Sequence, residues 1–135
     1  MVPVSPSTHE IKLSEIRDTL RFLVHSLGPH DRLGIVTYGG SDIGDINANL
    51  CGSRWPGWEE AIGSIKATRF RGARCGLDEG ANVAMDIMMR RKTLNLANVL
   101  MISDSTASDT EKIDFVVERA EAAKYVIYSV RISRN

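Results

Sequence analysis

The stretch Val99-Leu100-Met101-Ile102-Ser103-Asp104 decides the fold class. An unbroken apolar run closed by a hydroxyl and a carboxylate is what a parallel strand covered on both faces requires, since neither face meets water. Parallel neighbours need long crossovers, so helices should flank this strand in the chain. They do. Downstream, Ser108 and Glu111 have capping-box spacing ahead of a helix with Ile113, Val116, Val117 and Ala120 inside. Tyr125 to Ile132 then alternates as a last strand, with Val126, Tyr128, Val130 and Ile132 on one face. Upstream, Leu77, Ala81, Ala84, Met85 and Met88 mark a helix ending in Arg90-Arg91-Lys92, where cations suit the C-terminal dipole.

The N-terminal half repeats the pattern. Leu13, Ile16, Leu20, Leu23, Val24 and Leu27 recur at helical spacing, with Ser7 and Glu10 as a capping box and Gly28-Pro29 as the stop. Leu33 to Tyr38 is a buried strand closed by Gly39-Gly40. Val2 to Ser5 is a short first strand in which Pro3 removes a ladder donor. Between Ser41 and Leu50 the residues Ile43, Ile46, Ala48 and Leu50 suggest an edge strand. Trp58 to Arg69 reads as a helix opened by Pro56-Gly57. This order predicts one α/β domain over residues 1–135, a Rossmann-like, doubly wound, mostly parallel sheet with helices on both faces.

Composition narrows the partners. Of the 135 residues, 17 are basic and 17 acidic, so no global field draws the chain to nucleic acid or to an anionic membrane. The cluster Lys66, Arg69, Arg71 and Arg74 is read as a solvated loop. No run reaches the roughly 20 apolar residues of a membrane span, and the N-terminus lacks a secretory pattern. Cys51 and Cys75 suit neither a zinc knuckle nor a disulfide scaffold. Free thiols in a cytoplasmic protein are the expectation, a single 51–75 disulfide the alternative.

Ligands of open α/β sheets sit beyond the carboxyl ends of strands. Ser5 and Ser7, after the first strand, and Asp104, after the strand quoted above, fall there. Two hydroxyls and a carboxylate at neighbouring strand tips are the makings of a divalent-cation site. Together with Lys12 to Leu23 and Leu27-Gly28-Pro29-His30-Asp31-Arg32-Leu33, these residues resemble the von Willebrand factor type A domain over almost the whole chain. Glu79-Gly80 and Leu100 to Asp104 match most closely the intracellular subgroup fused to RING fingers in fungi and plants. That resemblance implies a metal-ion-dependent adhesion site of pattern Asp-x-Ser-x-Ser, a loop Thr and a later Asp. The first Asp falls on Pro3, the serines on Ser5 and Ser7, the Thr near Cys75 and the last Asp on Asp104. Both departures remove oxygen, whereas Mg²⁺ demands near-octahedral oxygen ligation. Asp78 and Asp42 could lend support from loops.

The expected function is therefore a non-catalytic protein-binding module with no cofactor, Mg²⁺-dependent ligand binding at Ser5, Ser7 and Asp104 being the alternative. The family continues past the last strand seen here, so the resemblance implies an open sheet edge that pairs with a second copy or a protein partner. Two cysteines cannot supply the RING zinc ligands, and ubiquitin-ligase activity is not transferred. A hydrolase triad from Ser5 or Ser7 with His9, His25 or His30 is the remaining alternative. His25 and His30 fall at the wrong end of the strands for it. Of Trp55 and Trp58, one is expected in the core and one exposed.

Overall fold

The computed structural model describes residues 2–4, 10–38, 44–66, 77–90, 98–103, 110–122 and 126–131. Its elements are β1 (Val2–Pro3), α1 (Glu10–Ser26), β2 (Leu33–Tyr38), β3 (Asp45–Cys51), α2 (Trp58–Gly63), α3 (Leu77–Met89), β4 (Asn98–Ser103), α4 (Thr110–Ala122) and β5 (Val126–Arg131). The chain is a mixed α/β fold, with every expected helix and strand present and β2 bounded as the sequence predicts.

The alternation along β2 divides the core. Ile35 joins Val2, Val4, Leu13, Ile16, Leu20, Val24, Trp58, Ala61, Ile62 and Ile65, the apolar stripes of α1 and α2. Val36 and Tyr38, one step out of phase, join Ala81, Ala84, Met85, Met88, Val99, Val116 and Ala120 beneath α3 and α4. Successive side chains of a strand point to opposite faces, so β2 has a helix pair on each side. Leu13 and Val116, both 0% exposed, anchor the two halves.

The strands form two ladders rather than one continuous doubly wound sheet. β1, β2 and β3 make the first, with β1 parallel to β2 and β3 antiparallel to it; β4 and β5 pair in parallel as the second. Cα atoms of β1 and β4 come within 8 Å of each other, yet no ladder joins them. Pro3 supplies the reason. The Val4 N–H donates to the Tyr38 carbonyl at 2.9 Å, so Val2 and Val4 present their donors to β2. The residue between them faces the other way, toward β4, and it is the one without an N–H.

Two further expectations need correcting. The strand within Ser41–Leu50 starts later and runs antiparallel, and its register shifts twice, once between Leu33 and Ile35 and again between Ile35 and Val36. The first shift turns Leu50 toward the α3–α4 side, against Gly34, where an added Cβ would lie 3.4 Å from Leu50 Cδ2. The helix expected over Trp58–Arg69 stops at Gly63. Its end is closed by polar groups: the Ser64 N–H donates to the Glu60 carbonyl and the Ser64 hydroxyl to the Ala61 carbonyl. The Arg17 guanidinium then takes the Ile65 carbonyl at 2.6 Å. Side chains thus supply bonds to carbonyls at and just beyond the end of the helix, as helix termini require.

Candidate functional site

The C-terminal ends of β1 and β2 lie at one edge of their parallel ladder, where Pro3 pairs with Tyr38. Ser5, Ser7, Asp104 and Asp42 lie outside the described residues, as do Cys75 and His9. Asp78 stands in the first turn of α3. The position that a cation site would give to its first carboxylate is held by Pro3, inside a hydrogen-bonded strand, with no side-chain oxygen to offer. Among the described residues no three His, Cys, Asp or Glu side chains gather into a metal-binding group.

The polar groups the structure does bring together at this edge sit between β2, β3 and α2. Thr37, 4% exposed, is the buried polar residue of the described core. Its hydroxyl donates to Asn47 Oδ1 at 2.9 Å, and Asn47 Nδ2 donates to Ser64 Oγ at 3.2 Å. Ser64 Oγ in turn donates to the Ala61 carbonyl at 2.7 Å. Each of the three side chains in this relay donates to an acceptor, as buried polar groups require. One faint sign of it is legible in the sequence, a Thr amid apolar neighbours in a buried strand. Asn47 carried none, because its reach depends on the register shift.

At the opposite end of β2 lie two of the three histidines named for a hydrolase triad. His25 is in the last turn of α1 and His30 in the turn after it, both exposed. The tryptophans also lie at this end. Trp58 is buried and donates its Nε1–H to the Gly52 carbonyl at 2.8 Å; Trp55 is half-buried and meets it edge-on, with ring centroids 5.0 Å apart. Cys51 is a half-buried free thiol.

Two clasps hold the helix pairs. Arg21 reaches Glu59 at 3.3 Å and Asp18 at 2.9 Å, tying α1 to α2. Arg119 of α4 hydrogen-bonds Asn82 and approaches Asp86 at 3.9 Å, both on α3. No described helix is long and apolar enough to cross a membrane.

No family model matches this sequence, and no curated protein matches it. Solved structures do share its fold. Proximal thread matrix protein 1 from the mussel byssus superposes with a TM-score of 0.75 at 13% identity, over 99% of this chain and 36% of its own. BatB from Bacteroides thetaiotaomicron, described as a conserved hypothetical protein, gives 0.67 at 14% identity, over 96% of this chain and 62% of its own. An uncharacterized membrane spanning protein from Vibrio fischeri gives 0.51 at 18% identity, over 98% and 67%. The fold is thus a known one. The chain spans about a third of the mussel protein and less than two thirds of BatB.

Proposed function

We propose that this chain is a non-catalytic protein-binding module of von Willebrand A type, whose inherited cation site has lost the oxygens it would need. In this reading its strands form one doubly wound sheet ordered β3-β2-β1-β4-β5, interrupted only at Pro3. A protein partner then docks at the edge where β1 and β2 end. The observation that carries the proposal is Pro3 itself. It is a strand residue paired with Tyr38, at the position where the family pattern demands a carboxylate. The near approach of β1 and β4, and helices on both faces of β2, support the sheet order. Self-association through a free sheet edge belongs to the same reading.

The test restores the missing oxygens. Calorimetric titration of the native chain with Mg²⁺ or Mn²⁺ is expected to give no saturable binding at about millimolar concentration. The double variant Pro3→Asp, Cys75→Thr is expected to gain it, and Asp104→Ala to abolish the gain. Saturable binding by the native chain, lost in Asp104→Ala, would mean that the adhesion site is intact and the proposal wrong. A restored variant that still binds nothing would remove the family reading altogether. Ester or peptide hydrolysis abolished by Ser5→Ala would show an enzyme instead.

A further inference from the structure

We propose that β3 is a strand with two available registers and that the Thr37–Asn47–Ser64 relay selects between them. Along β2, Ile35 pairs with Ala48 but the next residue, Val36, pairs with Ile46. One step on β2 thus corresponds to two on β3, and Asn47 is the extra residue of a bulge. The bulge turns the Asn47 amide toward the α2 side, where it accepts from Thr37 and donates to Ser64. It also places Ile46 opposite Val36, on the α3 side, with 45% of its surface exposed.

The local pattern argues for the other arrangement. Ile46-Asn47-Ala48 alternates apolar, polar, apolar, which is the period of a regular strand with one buried face. Removing the bulge leaves Ile35 opposite Ala48 and moves Asn47 opposite Val36 and Ile46 opposite Thr37. Ile46 then shares the face of Ile35, which α1 and α2 cover, and the amide takes the half-open position that Ile46 leaves. Asp45 passes from its place opposite Thr37 to one opposite Tyr38, the last residue of β2, at the edge where β1 and β2 end. A one-residue slip exchanges the two faces of the slipped residues, so the two states are discrete rather than graded.

What opposes the slip is the buried Thr37 hydroxyl. In the regular register it loses its acceptor while staying out of water, and Ser64 loses the Asn47 donor. Hydrophobic patterning therefore favours one register and polar satisfaction the other, which is the composition of a bistable element. Among the described residues β3 pairs only with β2, so a slip disturbs no second ladder. The device is independent of what the strand tips bind.

The test is NMR on the full 135-residue chain, reading backbone contacts between β2 and β3. The native protein is expected to show Val36–Ile46 and Thr37–Asp45 contacts. Thr37→Val keeps the side-chain shape and removes the donor. It is expected to raise the slipped population at least ten-fold, seen as a second set of Asp45–Ala48 amide signals with Thr37-position to Ile46 contacts. Asn47→Ala should act likewise, and Asn49→Ala, an exposed control, should not. Adding Ile46→Asn to Thr37→Val should return one register. The proposal is overturned if Thr37→Val keeps only the Val36–Ile46 pairing, or if it loses every β2–β3 contact together. Should Asn47→Ala fail to fold, Thr37→Val decides alone.

Discussion

Gly57 shows how little room the turn before α2 leaves. A Cβ built there would lie 2.3 Å from one atom of the Trp55 indole and 2.6 and 2.7 Å from two others. Gly57→Ala must therefore displace a ring that is itself stacked edge-on against Trp58. Overpacking of this kind costs about 1–3 kcal/mol. The expected result is a lower urea midpoint with a changed tryptophan fluorescence; an unchanged spectrum and midpoint would show that Trp55 has space to move. Leu13 is the complementary case. It is 0% exposed in the core under α1, so Leu13→Ala leaves a cavity and should cost about 2–5 kcal/mol in the same assay. Both residues were legible in part: Leu13 from helical spacing, Gly57 from Pro56-Gly57 as a helix opening. The ring pressing on Gly57 was not, since Trp55 reaches it only through the turn.

The elements differ in what holds them. α1 and α2 were visible as apolar stripes, but α2 ends at Gly63, and Arg17, forty-eight positions upstream of Ile65, takes the Ile65 carbonyl just beyond that end. The Arg21–Glu59 pair is more exposed, with Glu59 at 74%, and exposed ion pairs are worth about 0–1 kcal/mol. Arg21→Ala should thus shift the melting midpoint far less than Leu13→Ala. β3 rests on a closer balance. Burying the exposed part of Ile46 would contribute about 1 kcal/mol, while two relay hydrogen bonds contribute about 1–3 kcal/mol between them. On the proposal above, the bulged register is favoured by a margin comparable to one hydrogen bond. Sequence periodicity could not report this, because it sees apolar spacing and not the satisfaction of Thr37.

At the scale of the molecule, the two outer strands are unlike. β3 is interrupted by two register shifts and begins with Asp45, features that blunt an edge. β5 runs in unbroken register with β4 from Val126 to Arg131, and among the described residues it pairs with no other strand. A regular strand of this kind is the better template for a second chain. Self-association of the 135-residue chain, expected from the proposed function, should accordingly appear in light scattering as a mass rising toward a dimer with concentration. A constant monomer mass at high concentration would exclude it.

The order of elements, the helix faces and the burial of β2 follow from the sequence alone, since apolar runs and a period near four report which residues must leave water. The missing oxygen donors at Pro3 and Cys75 could likewise be read there, relative to the family pattern. Only the folded chain decided that the strands form two ladders, that β3 runs antiparallel with Asn47 bulged, and that α2 stops at Gly63. Each of these goes with a polar group and a partner distant in the chain: an N–H that Pro3 lacks, an acceptor for Thr37, a guanidinium beside the end of α2. Burial is written into local spacing, whereas hydrogen bonds across the fold exist only after the elements have met.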